Sequence, residues 1–496
     1  MIALISRWKR QGPRLLFACA AAFLSLMICT KSSFLYPLND WVDVHCFFTV
    51  GRGILHGLTP YRDLYEQKGP LVYFLYAGAA ALSESSFAGV FALECLCFAG
   101  FVYFGGRIVE ALSGLRGAYW PAAALLAVLT PLSPAFSHGG SAEELFLPVM
   151  ALALWIVLAA MGDRRPLNGR QGLILGLCAA GALWMKYTFC GLFLGLALGV
   201  IVWYLHDGWA RHLPRLIGFF LLGVIALSAL TVVWFALRGA AGDLWQAYFV
   251  NNLTQYAHNI RSGAYDPPLK NLLNNLTWSI PGALGILWLL ITRKKRGREA
   301  AAVLLGAVCL FVFTYANGRR YPYYALVLAV FAPLGLAPIL RALWKLTQKK
   351  PALQRAAAAL ITAAVTAASP FLASIYSPNV YLTRIAFEDT PQYRFAQIIR
   401  QADDQTLLND GFLDGGFYYA AGVQPSGPYF CTLNIDLKDM DAALQRSVRL
   451  GETAFVVTRQ KKLQNNRLYR LVDECSMPYE GRTWHYYLYR RIDEPT

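Results

Sequence analysis

The sequence predicts an α-helical protein that crosses a membrane many times and ends in a small α/β domain. Three observations carry this reading. Hydrophobic residues make up 56% of the chain and charged ones only 15%, against roughly 25% charged in an ordinary soluble domain. The apolar residues fall in long blocks rather than amphipathic stripes, so a soluble core has no place for them. Lys and Arg gather in short runs between those blocks, as they do at the inner face of a membrane. That distribution also accounts for the net charge of +16, which is therefore no sign of nucleic-acid binding.

The chain opens on a basic segment with Arg7, Lys9, Arg10 and Arg14, followed by the apolar block 15–35. The block lacks a small-x-small cleavage site and reads as an uncleaved signal anchor. Further blocks lie at 87–108, 118–135, 144–161, 171–187, 189–205, 215–237, 276–292, 299–315, 321–340 and 354–375. Most reach the roughly 17–25 residues that a helix needs to span about 30 Å of hydrocarbon. The stretch Leu71–Leu82 is only about half that length, and charge decides its fate. If it does not cross, the basic loops around Arg107/Arg116, Arg164/Arg165, Arg211/Arg215, Arg293–Arg298 and Arg341–Lys350 all fall on the cytoplasmic side. We therefore expect eleven spans, with Leu71–Leu82 re-entrant or interfacial.

This topology puts the N-terminus inside and the C-terminus outside, in a plasma membrane of bacterial kind. The transmembrane domain is expected over 1–376, with its first external loop at 36–70, and the external domain over 377–496. In the tail, 391–401 and 438–450 read as helices, and 406–409, 454–458 and 484–490 as strands. The ten cysteines form no CxxC pair and no zinc-like cluster with His. Cys431 and Cys475 in the tail read as two unrelated free thiols, with a disulfide between them as the alternative.

The first external loop concentrates the chemistry. It runs Asn39-Asp40-Trp41-Val42-Asp43, then through a short amphipathic helix to Leu55-His56-Gly57. Thr59-Pro60-Tyr61-Arg62-Asp63 and Tyr65-Glu66-Gln67-Lys68-Gly69-Pro70-Leu71 follow. Carboxylates at the lip of a helical bundle are costly to desolvate and call for a cation, a proton or solvent. The second loop holds His138-Gly139-Gly140-Ser141-Ala142-Glu143-Glu144, where two acids at a helix start also suit the helix dipole. Lys186 ends the fifth span. Arg319 and Arg320 lie outside, against the charge rule, beside Tyr323. The loop 238–275 is polar and aromatic around Asn251, Asn252, Gln255, Tyr256 and His258, as suits a sugar or acceptor surface.

In order and spacing over roughly residues 15–340, these motifs resemble the type C (GT-C) membrane glycosyltransferases, which include protein O-mannosyltransferases and the lipid A aminoarabinose transferase. The resemblance puts the family's catalytic Asp on Asp43, although its usual acidic neighbour is Val44 here. Lys68-Gly69-Pro70-Leu71 matches the lysine motif with one Gly-for-Pro change. The second acid falls on Glu143, with Glu144 as the alternative, and Tyr323 takes the place of a family His. The family uses a sugar linked to a polyprenyl phosphate as donor. The resemblance implies that Asp43 is a general base, or that it holds a divalent cation with Glu143. Lys68, Lys186, Arg319 and Arg320 would then take the donor phosphate. Asp40, Asp63, Glu66, His138, Glu144 and Tyr323 stand as further candidates. Expected partners are the donor, membrane lipids, and a glycan, lipid or protein acceptor of the cell envelope. A lipid-linked-glycan flippase or transporter, a glycan polymerase or ligase, and a non-enzymatic scaffold are the competing readings. The flippase reading is weakened by a single mid-span acid, Glu94, and by the absence of a visible repeat.

Overall fold

A computed structural model describes residues 2–256, 267–316, 318, 321–346, 350–463, 466–479 and 481–492 of the chain. Eight helices among them are long and apolar enough to cross a membrane. They are Gln11–Cys29, Ala88–Ser113, Ala142–Gly162, Tyr187–His206, Ala210–Leu237, Arg293–Tyr315, Pro322–Leu346 and Pro351–Tyr376. A ninth span is available if the bent pair Pro268–Asn274 and Leu276–Ile291, kinked by 106°, counts as one. The protein is thus an α-helical polytopic membrane protein, but the structure does not reproduce a count of eleven. The apolar blocks at 118–135 and 171–187 form helices of only 11 and 17 residues, Tyr119–Leu129 and Gly169–Met185. The first of these gives way at Thr130-Pro131, where proline cannot continue the hydrogen-bond ladder. The half-length stretch becomes a 13-residue helix, Pro70–Leu82, about 20 Å long and short of the hydrocarbon thickness.

The chain forms two compact units. The first comprises Met1–Thr30, Leu93–Leu230 and Gly263–Ser377. Its tightest pairing is between the Cys190–His206 and Arg293–Tyr315 helices. Gly191, Gly195 and Gly199 recur every fourth residue there. A Cβ on Gly195 would stand 2.3 Å from the Leu305 carbonyl oxygen. With lipid as solvent, such small-residue stripes let backbones approach closely enough for dispersion to hold them. The kink at Asn275 is stitched by its own amide, which accepts from the Ala135 N–H at 2.8 Å and donates to the Asn271 carbonyl at 2.6 Å.

The second unit gathers Lys31–Ala92, Thr231–Ser262 and Pro378–Thr496. The tail contains a four-stranded sheet of β1 (Leu407–Asp410), β2 (Phe455–Thr458), β3 (Tyr469–Tyr479) and β4 (Arg482–Arg491), in the order β1-β2-β4-β3. β1 and β2 run parallel and the other pairs antiparallel. Helices Pro391–Arg400 and Lys438–Leu450 lie where the sequence pattern placed them. The second buries Met440, Leu444 and Val448 on one i, i+4 face. The strand β3 escaped the sequence reading. Its run Asp473-Glu474 breaks the alternation, and the register shifts between Leu471 and Asp473.

The loop expected over 238–275 is largely helical among its described residues, through Ala241–Leu244, the π-helix Trp245–Tyr256 and Pro268–Asn274. Its polar residues serve the fold more than an open surface. Asn252 donates to the Gln67 carbonyl at 2.7 Å and Asn251 to the Tyr65 hydroxyl at 2.8 Å. Gln255 is exposed and Tyr256 buried. His258 lies outside the described residues.

Candidate active site

In the second unit the site begins where the first span ends. Asn39 accepts the Trp41 N–H at 3.0 Å, and the Val42–Leu55 helix starts directly after it. Asp43 is half-buried in the first turn, the only acid of this helix, where the helix dipole favours a negative charge. From Val44 to Gly53 every residue is buried. Asp40 belongs to a different environment. Its Oδ1 lies 2.6 Å from the Lys31 ammonium, both side chains are almost fully enclosed, and its Oδ2 accepts the Tyr381 hydroxyl at 3.1 Å. Lys31 also sits 5.0 Å from the Tyr479 ring centre. Asp40 is therefore held in a buried clasp, and sequence reasoning missed Lys31 because it merges with the end of an apolar block.

The loop that carries Lys68 is fastened by its neighbours. Asp63 accepts the Thr59 N–H at 2.8 Å, and Arg62 beside it holds its carboxyl below the usual range. Tyr61 adopts a left-handed φ of 72°. Its buried ring packs 5.6 Å from Phe235, and its hydroxyl donates to the Lys68 carbonyl at 2.6 Å. Glu66 accepts the Lys68 N–H at 2.8 Å and also takes the Tyr73 hydroxyl. Asp63 and Glu66 thus shape the loop. What the loop presents is the Lys68 ammonium, half-buried and 5.6 Å from the Phe47 ring centre. Phe47 follows Asp43 by four residues, so both lie on one face of the helix.

The tail clamps the opposite side of this helix. Thr49 donates to Asp414 at 2.6 Å, the Gly416 N–H donates to the same carboxyl at 2.8 Å, and Arg52 donates to the Tyr418 carbonyl at 3.3 Å. Burial raises the Asp414 carboxyl to about 6. Burial lowers His45, edge-on to Phe87, to about 4. Cys46 and Cys431 bring their sulfurs to 4.0 Å, so Cys431 faces Cys46 and not Cys475. The Thr49–Asp414, Arg52–Tyr418 and Cys46–Cys431 contacts are invisible in sequence, because they join residues more than 360 positions apart.

The first unit holds the second-loop residues. Gly139 and Gly140 have φ of +74° and +72°, a left-handed pair open to glycine at little cost. A Cβ on Gly139 would also collide with Thr30 and Glu94. Glu94 itself lies two turns into its span rather than at its middle, and is fully buried. Ser141 accepts the Glu144 N–H at 3.0 Å, and the Glu144 carboxyl accepts the Gly140 N–H at 2.7 Å. Glu144 therefore closes the turn. Glu143 takes the other role and pairs with the Lys186 ammonium at 2.6 Å. That ammonium stands 3.4 Å from the Tyr324 ring centre, a cation–π contact. Tyr323 stacks on Tyr321 at 5.7 Å, and His138 is half-buried at the turn. Arg319 and Arg320 lie outside the described residues.

The ligand set fits a divalent cation poorly. Among the described residues no group of three or more His, Cys, Asp or Glu gathers as metal ligands. The Glu143 carboxylate is already neutralised by Lys186, which a cation would have to displace. No step is therefore routed through a metal.

No protein-family model matches the chain, and no curated protein matches it in sequence. Its backbone is similar to that of ArnT from Cupriavidus metallidurans bound to undecaprenyl phosphate. The TM-score is 0.59 at 14% identity, covering 97% of this chain and 98% of that one. The apo state of ArnT gives 0.59 at 16% identity over 98% of both chains. The apo oligosaccharyltransferase of Archaeoglobus fulgidus gives 0.52 at 14% identity, covering 91% of this chain and 70% of that one. At these identities the likeness is one of fold, and the fold is GT-C, the one that the loop motifs resemble.

Proposed function

We propose that the protein is a membrane glycosyltransferase that moves a sugar from a polyprenyl-phosphate donor to a cell-envelope acceptor. The observation that supports this reading is that the Lys68 ammonium lies 5.6 Å from the ring of Phe47, the residue one helical turn after Asp43. A general base and a phosphate-neutralising cation thereby share one neighbourhood. Asp43 takes a proton from the acceptor hydroxyl or amine as it attacks the anomeric carbon. The sugar–phosphate bond breaks on the opposite side, and Lys68 meets the negative charge that grows on the leaving phosphate. The anomeric centre is inverted. Glu143 steers Lys186, and Lys186, Arg319 and Arg320 supply further positive charge for the donor. An ArnT structure carrying undecaprenyl phosphate supports the class of donor.

Chemistry on the external face, with the N-terminus in the cytoplasm of a bacterial cell and the tail outside, follows from the charge distribution. The test is transfer from a radiolabelled polyprenyl-phosphate sugar in membranes carrying the full chain. Asp43→Asn should abolish transfer while leaving the amount of inserted, folded protein unchanged. Full activity of that variant would overturn the mechanism.

A further inference from the structure

The first unit contains a strongly basic cavity. It has a volume of about 890 Å³ and lies among the ends of the Gln11–Cys29, Ala88–Ser113, Ala142–Gly162, Arg293–Tyr315 and Pro322–Leu346 helices. Nine Arg and Lys residues line it against three carboxylates. Glu110 takes Arg14 at 2.7 Å and Arg107 at 3.0 Å. Asp163 takes Arg165 at 3.1 Å, and Glu299 lies 3.8 Å from Arg296. Arg298 pairs outside the lining, with Asp207 at 3.0 Å. That leaves Arg116, Arg164, Lys295 and Arg341 with no carboxylate partner among the described residues. Arg164 is also held at a left-handed φ of 51°, a conformation that disfavours any side chain.

Arg14, Gly114 and Arg116 also line a neighbouring cavity of about 1450 Å³. This one is an apolar trough. Phe17, Leu24 and Trp120 form one wall. Ala359, Ala363 and Ala367, small residues on one face of the Pro351–Tyr376 helix, leave its volume open. Its lining on that helix runs from Pro351 to Pro370, roughly 28 Å of length.

We infer that the basic chamber and the apolar trough together form a binding site for an anionic glycerophospholipid, with phosphate in the chamber and an acyl chain in the trough. Crowded cations without partners repel one another, and a phosphate among them relieves that repulsion. Basic pockets between spanning helices are where anionic headgroups bind. The trough decides between a lipid and a free phosphate, because only a lipid has a chain to fill it. Glu143 and Asp163 mark the two ends of the 21-residue Ala142–Gly162 helix, so within the first unit the chamber lies roughly 30 Å from Glu143.

Native mass spectrometry of the full-length protein in detergent tests this. The protein is titrated in separate arms with phosphatidylglycerol, phosphatidylcholine and inorganic phosphate. Phosphatidylglycerol should bind at a concentration at least about tenfold lower than phosphatidylcholine. The triple variant Arg116→Gln, Lys295→Gln, Arg341→Gln should lose that preference while eluting as the parent does. Ala363→Trp keeps every cation but fills the trough, and should weaken phosphatidylglycerol binding as well. Equal retention of both lipids would overturn the inference. So would undiminished phosphatidylglycerol binding by the triple variant or by Ala363→Trp, or displacement of the lipid by inorganic phosphate.

Discussion

Asp40 and Asp43 are three residues apart, flank the same helix start and look alike in sequence, yet the structure gives them different surroundings. Asp40 is sealed in, with one oxygen on Lys31 and the other on the Tyr381 hydroxyl. Asp43 remains half-buried on the helix face that leads to Phe47 and Lys68. A carboxylate fully spent on neighbours holds a fold together; one with access to its surroundings can exchange a proton with a substrate.

The sharpest way to break the comparison is to truncate each acid in turn. Asp40→Ala strands the Lys31 charge in a buried site and should cost about 3–5 kcal/mol of stability, seen as a lower denaturation midpoint and less folded protein. Lys31→Met together with Asp40→Leu should recover most of that loss. Asp43→Ala should cost less stability than Asp40→Ala, because Asp43 is only half-buried. Equal destabilisation by the two alanine variants would erase the distinction.

The next test concerns the clamp behind the helix. Burial raises the Asp414 carboxyl from 3.8 to about 6. The folded state then binds its proton first, and stability falls as pH rises from about 4 to about 6. Burial lowers His45 from 6.5 to about 4. The unfolded state then binds its proton first, and stability falls as pH drops from about 6.5 to about 4. The two slopes oppose over a shared window, each worth roughly 3 kcal/mol across it. Asp414→Asn should leave a protein that weakens on acidification. His45→Phe should leave one that strengthens, as read from denaturant midpoints between pH 4 and 6.5.

A smaller effect is expected on the open side. Lys68→Met should lower the rate of transfer about 100-fold, or about 2.7 kcal/mol, with unchanged folding. Last comes a contact that alters no energy appreciably. Cys46 and Cys431, with sulfurs 4.0 Å apart, should form a cross-linked peptide on mild oxidation of the full chain, detectable by mass spectrometry without reduction. A persistent pair of freely alkylated thiols would mean that the tail does not seat on the helix in this way.

Much of the architecture is written locally. Span-length apolar blocks, the basic runs between them, and the helices at Pro391–Arg400 and Lys438–Leu450 follow from hydropathy and periodicity alone. The count of spans was harder to read. Tyr119–Leu129 and the kink at Asn275 are matters of where a helix breaks, and a hydropathy window averages over such breaks. For the candidate residues, Asp43, Lys68 and Glu143 could be named from the loop motifs they sit in. The assignment of Asp40 and Glu66 to support was not legible, because their partners Lys31, Tyr381 and Tyr73 are chosen by packing. The polar residues Asn251 and Asn252 resembled a binding surface for the same reason, whereas their hydrogen bonds go to the 65–67 loop.

The Lys31–Asp40 clasp also sets a schedule for biogenesis. Lys31 and Asp40 emerge just after the first span, but Tyr381 and Tyr479, which complete their surroundings, are synthesised last. At typical elongation speeds of 5–20 residues per second, roughly 20–90 s separate the two events. Throughout that interval the acid and the amine at the head of the first loop wait for their enclosure. A chain that stops short of its final strands would leave this pair without the Tyr479 ring that covers Lys31.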